Sequence, residues 1–280
     1  MTSSRQIVRQ ITPQWVVEGA GVRLRRSIAT RTLDYLDPFL LFDHFGSDDP
    51  QDYLAGFPTH PHRGIETVTY MLAGKVRHGD SMGNRGSIQA GDVQWMTAGG
   101  GILHEEMPEP LDGRMEGFQL WVNLPASHKM MPPRYQEILA DQIPEAVRPD
   151  GSRIRVIAGE VDGVRGPVTE VLAEPTYLDV SLPAGVATQF SAPAEQTAFA
   201  YVFEGAGRLG GQEVSEVPCL AVLGDGDVLD VAAFNVSLRF LLVMGRALHE
   251  PIARYGPFVM NTQAEIHQAL NDLRNGTFVR

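Results

Sequence analysis

Glycine and proline punctuate this chain so regularly that few long uninterrupted elements can form: 29 glycines and 19 prolines are spread through 280 residues. Between them lie short apolar runs, IETVTYML, SIQAGDVQWM, GFQLWVNL, RIRVIAG, TYLDVSL, AFAYVF and LRFLLVM. Runs of this length, rich in β-branched and aromatic side chains and bounded by turn formers, read as strands. Many also alternate. In ETVTYM, Val68 and Tyr70 face one side while Thr67, Thr69 and Met71 face the other, the pattern of a half-buried strand. The expected fold class is all-β. One helix is expected near the end, where Asn261 and Thr262 offer an N-cap, Ile266, Leu270 and Leu273 recur at helical spacing, and Gly276 supplies a stop.

A weak internal repeat suggests that the strands make two related units. VTYMLAGKV near residue 70 resembles FAYVFEGAG near residue 201, with a turn expected at Gly74 or Gly205, and Gly-Asp-Val follows in each copy at Gly91 and Gly226. The stretch MMPPRYQEILADQIPEAVRPDGSR breaks the pattern, being rich in Pro, Glu and Asp, and reads as a connector. The expected division is therefore an N-terminal domain over 1–130, a connector over 131–153 and a C-terminal domain over 154–280.

Composition removes several functional classes. With 43% hydrophobic and 20% charged residues, the chain has the balance of a globular protein. A net charge of -11, with 34 acidic against 23 basic residues and no basic run, argues against direct nucleic-acid binding. No window approaches the ~20 apolar residues of a membrane span, and MTSSRQIVRQ does not read as a signal peptide. Cys219 is the single cysteine, so no internal disulfide is possible and it reads as core packing. A cytoplasmic monomer is expected.

Two histidine patterns carry the chemistry. His60-Pro61-His62 leads into a strand, and residues i and i+2 of an extended segment share a face roughly 6 to 7 Å apart, which lets two imidazoles grip one ion. The same spacing returns at His104-Glu105-Glu106. If the pairs lie on neighbouring strands facing a barrel interior, three imidazoles and one carboxylate converge, a donor set for a borderline divalent metal. Read locally, the alternatives stay open: His62 beside Arg63 suits a solvated loop, and His104 suits a buried imidazole bonded to backbone. Gly99 to Gly101, just before His104, serve either a plain hairpin or a bulge that re-aims a ligand-bearing strand.

HPHRGIETVTYMLAG, GDVQWMTAGGGILHEEMPE and GFQLWVNLP resemble the pirin family of the cupin superfamily. The likeness extends upstream to GAGVRLRR and LDPFLLFDHFG, and downstream to PIARYGPFVMNTQAEIHQALNDLRNGTF. It implies a bicupin, two face-to-face double-stranded β-helix barrels with a short C-terminal helix. It also implies one metal in the first barrel, held by His60, His62, His104 and Glu106. Fe(II) is the expected ion, and manganese, nickel, cobalt, copper or zinc also suit the donors. Glu66 stands where many other cupins place a carboxylate ligand, a role that passes to Glu106 in pirins. Ser191, Ala192 and Pro193 fall opposite the HPH triplet in the second barrel, and none can replace an imidazole. Thr59 and Gly100 depart from the usual pirin pattern, in which Asp and Arg are common at those places.

Two functions follow from the resemblance. Some pirins are similar to quercetin 2,3-dioxygenases, which implies a small aromatic or flavonol-like substrate and a catalytic Glu106 that accepts a substrate hydroxyl proton. The other is a metal- or redox-dependent regulator with a protein partner, a transcription factor or a metabolic enzyme. His44 and His78 are expected to line the pocket behind the ligands. Trp95, Met96 and Phe118 read as core, and His128, His249 and His267 as surface.

Overall fold

A computed structural model of the chain describes residues 3–109 and 113–279. Strand Ile65–Ala73 shows how the alternating pattern is used: it lies between Val93–Thr97 and Met115–Asn123, pairing antiparallel with both. Its neighbours extend into a seven-stranded sheet ordered Arg134–Ile138, Val93–Thr97, Ile65–Ala73, Met115–Asn123, Phe39–Ser47, Val22–Ile28 and Gln14–Glu18. A second sheet, ordered Phe57–His62, Ile102–Glu109, Lys75–Asp80 and Arg85–Gln89, supplies the other wall of the same unit. All pairings in both sheets are antiparallel, as hairpin-connected strands allow.

The second unit is a nine-stranded antiparallel sheet whose central strands are Gln196–Leu209, Val228–Arg246 and Thr176–Leu182. Its core cluster is apolar, with Val156, Leu178, Phe190, Ala200, Val202, Phe240 and Leu242 among the fully or almost fully buried side chains. Cys219 packs in this core, as does Ala192. At Gly205 the chain does not turn back as the repeat suggested. It continues as one strand through irregularities at Val202/Glu204 and Gly205/Gly207, with φ +81° at Gly205.

The units divide the chain differently from its linear order. One comprises residues 14–140 and 248–280, the other 1–13 and 141–247. The N-terminal strand Ile7–Ile11 pairs with Cys219–Leu223, more than two hundred residues away in sequence. The expected connector is not one. Arg134–Ile138 forms an edge strand of the first sheet against Val93–Thr97, and Glu145–Val147 pairs with Arg153–Ala158 in the other unit. Both strands are short and flanked by Pro and acidic residues, which hid them.

The closing segment folds onto the first unit. Its helix is Gln263–Arg274, where Thr262 and Glu265 form a reciprocal capping box, and it buries Ile266, Ala269 and Asp272. It is the only α-helix among the described residues, and no helix is long and apolar enough to cross a membrane. Asp272 receives the Arg63 guanidinium at 2.7 Å, and the Phe278 carbonyl receives it at 3.2 Å, with both partners buried. Lys129, also buried, donates to the Gly64 and Val259 carbonyls, both at 2.8 Å, and to Asn123 Oδ1 at 2.6 Å. At Gly64 the backbone has φ +80°, and a Cβ would stand 2.0 Å from the Val259 oxygen, so only glycine permits this approach. The segment therefore braces the residues immediately after His62.

Candidate metal centre

His60 and His62 lie on strand Phe57–His62, and His104 and Glu106 on the adjacent strand Ile102–Glu109, with His104 directly opposite His60. Directly paired residues share a face, so this register brings three imidazoles together. Phe57–His62 is an edge strand, which is why it tolerates Pro58 and Pro61 without losing ladder hydrogen bonds. Between His60 and Phe57 the register shifts against His104 and Glu106, leaving one extra residue on the proline-bearing strand. The bulge thus comes from Pro58-Thr59 rather than from the glycines before His104.

The ligand atoms of His60, His62 and His104 all lie within 4.8 Å of one another. His60 Nδ1 is 3.0 Å from the Pro58 carbonyl, the geometry of a donor, and this turns Nε2 toward His62 Nε2 at 3.0 Å. Two ring nitrogens at that distance need a proton or a cation between them. His104 is buried, and neither of its ring nitrogens has a hydrogen-bond partner among the described residues. A buried nitrogen without a partner costs on the order of 1–3 kcal/mol, which a bound metal would offset. Burial holds the His62 and His104 imidazoles well below their usual range, and His60 beside them pushes the same way. Both therefore stay neutral with lone pairs available, the state that ligation requires. The cluster fits a transition metal.

Glu106 stands apart from this triad. Its carboxylate lines the same cavity as His60 and His62 but lies 3.0 Å from Thr69 Oγ1, from which it accepts a hydrogen bond. Thr69 Oγ1 is also 2.8 Å from Gln119 Oε1. One hydroxyl carries one proton, so with the Gln119 amide turned to donate to Thr69, Thr69 donates to Glu106. These side chains belong to a polar row crossing the seven-stranded sheet in register: Arg26, Asp43, Gln119, Thr69, Gln94 and Glu137.

His44 does not line the pocket. Leu41, Asp43 and Phe45 of its strand face the cavity, so His44 points through the opposite face, where it packs tilted against Phe118 and meets Glu116 Oε1 at 3.2 Å. His78 lies directly opposite Glu106 in the strand register, yet its ring does not line the cavity either. It is stacked on Tyr135, with Nε2 3.3 Å from Glu137 Oε1. Glu66, on the face away from Thr67 and Thr69, accepts from Thr97 Oγ1 at 2.7 Å. Trp95, Met96 and Phe118 are fully buried core, and His128, His249 and His267 are exposed.

The cavity measures about 590 Å³. Its walls are mostly apolar, with Val22, Leu24, Leu41, Phe45, Phe57 and Met115 among them. Trp121 sets its indole edge-on to His62, with centroids 5.1 Å apart. Sequence reasoning missed the cavity's polar groups Arg26, Asp43, Thr69, Gln119 and Arg254. The alternation in GFQLWVNL does place Gln119 and Trp121 on one face, but nothing in the sequence says that this face is the inner one.

Asp43 is the cavity's most perturbed carboxyl. Burial raises it to about 6 despite a two-pronged bond from Arg26 at 2.8 and 2.7 Å. A folded value above the ordinary 3.8 means that the unfolded chain gives up this proton first. Stability from this group is therefore complete below pH 4 and falls by about 3 kcal/mol as pH rises to about 6, then stays level. The difference in unfolding free energy between wild type and Asp43→Asn, measured by urea titration from pH 4 to 7, should show that slope. A flat difference would contradict the assignment.

Comparison with known proteins agrees with this architecture. The Pirin family profile matches residues 21–122, and the Pirin C-terminal cupin domain matches residues 177–279. This chain belongs to the pirin family. A pirin-like protein of Caulobacter vibrioides is 44% identical over 275 residues, covering 98% of this chain and 99% of that one. Pirin of Mus musculus is 43% identical over 284 residues, covering 98% and 94%. Among solved structures, a quercetin 2,3-dioxygenase from Acinetobacter baumannii superposes with a TM-score of 0.90 at 38% identity, covering 99% of both chains. The bicupin fold expected of a pirin is thus the fold found, and the histidine triad lies in the barrel matched by the first profile.

Proposed function

We propose that this pirin is a metal-dependent dioxygenase of the quercetin 2,3-dioxygenase type, with His60, His62, His104 and Glu106 as the metal ligands and Fe(II) as the resident ion. The observation that carries the reading is the partnerless His104 imidazole, buried beside two others at the wall of a largely apolar cavity. Three imidazoles and one carboxylate would leave room for a bidentate enol or catechol oxygen pair, or for one substrate oxygen together with dioxygen. The metal would supply Lewis acidity toward the substrate oxygens and a redox partner for dioxygen.

The chain's own residues do the rest. Glu106 accepts the proton of the substrate hydroxyl, and the hydrogen bond from Thr69 fixes the carboxylate for that transfer. Apolar walls exclude water from a flat aromatic substrate, and Trp121 gives its ring a packing surface. A cytoplasmic setting suits the single buried cysteine.

Iron-loaded protein incubated anaerobically with quercetin and then given oxygen should release one carbon monoxide and one depside per oxygen consumed. Glu106→Gln should lower kcat by at least about a hundredfold, since both the base and a ligand are lost. Absence of turnover with iron, manganese, nickel and cobalt in turn would refute the dioxygenase reading.

A further inference from the structure

The cavity lining includes two arginines, and their situations differ. Arg26 is fully engaged: its Nε and Nη2 hold the two oxygens of Asp43, and its Nη1 holds Glu18 at 2.6 Å. Arg254 has no carboxylate. Its Nη1 donates to the Leu40 carbonyl at 3.2 Å, its Nε reaches the Gly256 carbonyl only at 3.5 Å, and Nη2 has no acceptor among the described residues. Every acidic side chain of the lining is already taken, Glu18 and Asp43 by Arg26 and Glu106 by Thr69. Burial, reinforced by Arg26, works against the Arg254 charge, and the fields of Asp34, Asp43 and Glu18 offset this only in part. A guanidinium in such a position gains from an anion that enters from outside.

Its placement says what kind of anion fits. The guanidinium carbon lies 5.2 Å from the centroid of the Trp121 ring, and the same indole meets His62 edge to face at 5.1 Å between centroids. Laid end to end, these contacts place the Arg254 guanidinium no more than about 10 Å from the His62 ring. A molecule no longer than one aromatic ring with a short acidic arm suffices to reach both groups. The intervening surface is aromatic and the surrounding wall apolar, which favours a flat, conjugated frame over a sugar or a peptide.

We propose that the cavity selects an aromatic carboxylic acid bearing an adjacent pair of oxygens at its far edge, of the dihydroxybenzoate or dihydroxycinnamate class. The carboxylate binds Arg254, the ring lies against Trp121, and the oxygen pair reaches the His60, His62 and His104 cluster. This names a substrate class for the site and rests on the proposed metal centre. A flavonol has no carboxylate and leaves Arg254 unused.

Calorimetric titration of the zinc-loaded protein, which is redox-inert, with 3,4-dihydroxybenzoate and with its neutral amide tests the selection without any turnover. The acid should bind roughly tenfold to a hundredfold more tightly than the amide. Arg254→Met should bring the two within about twofold at unchanged zinc content, and Arg254→Lys should recover part of the preference. The same comparison of benzoate with benzamide on metal-free protein isolates the Arg254 contact, so a failed metal centre and a failed anion site give different results. Equal affinity for acid and amide in the wild type, or a preference that survives in Arg254→Met, overturns the proposal. Quercetin turnover is a separate measurement, and neither of its outcomes changes this result.

Discussion

Exchanging His104 for leucine is expected to remove the metal altogether while making the metal-free protein more stable. The two effects share one cause. His104 is buried with both ring nitrogens partnerless, so in the absence of a metal it contributes two desolvated polar atoms and no compensating bond. Leucine has similar bulk without those atoms, and it should recover on the order of 1–3 kcal/mol in the stripped protein. With metal present the sign reverses, because the wild type gains its binding free energy and His104→Leu gains none. Elemental analysis after dialysis should fall from stoichiometric to trace, and thermal unfolding of both proteins in chelator should show the variant melting higher. Stoichiometric metal in the variant would end the assignment of His104 as a ligand. A lower melting point in chelator would mean that its nitrogens are satisfied in the folded protein.

The second large effect is expected at a residue far less conspicuous in the sequence. Lys129 is buried, and its ammonium serves three acceptors at once, two of them backbone carbonyls on either side of the Gly64 approach. Lys129→Met keeps the apolar stem but leaves the Gly64 and Val259 oxygens and the Asn123 amide oxygen buried and unpaired. At about 1 kcal/mol or more for each, the loss should be on the order of 3–5 kcal/mol, read as a shift in urea midpoint without a change in slope. Gly64 is two residues from His62, so metal affinity should fall with stability. Lys129→Met together with Asn123→Leu removes a donor and one stranded acceptor and should recover part of the loss. A variant within 1 kcal/mol of wild type, on the scale of ordinary surface changes, would show that the three contacts are not holding the closing segment.

These two residues mark the limits of what a sequence reader can see. His104 announces itself because His-Glu-Glu repeats the i, i+2 spacing of His60-Pro61-His62, and strand geometry turns that spacing into a shared face. Lys129 sits just before two methionines and a Pro-Pro pair, and its three acceptors lie 65, 6 and 130 residues away. No local pattern encodes such a convergence. His44 was misplaced for a related reason: Phe39 to His44 are buried on both faces, so alternation is absent and the inward side cannot be told from the outward. His78 does lie opposite Glu106 in the strand register, but the groups that hold its ring away from the cavity, Tyr135 and Glu137, come from a strand that reads as a connector.

From the amino-acid order alone came the all-β class, the single capped helix and the two histidine-bearing pairs, because each depends on periodicities of 2 or 3.6 residues within one short segment. Tertiary structure alone decided that the first strand joins the second unit and that the last segment braces the first. It also decided that Glu106 rests on Thr69 and that Arg254 stands unpaired beside Trp121. Those outcomes depend on which strands lie side by side. Pairing between distant segments is selected by the burial of whole faces, a quantity that no short stretch of sequence contains.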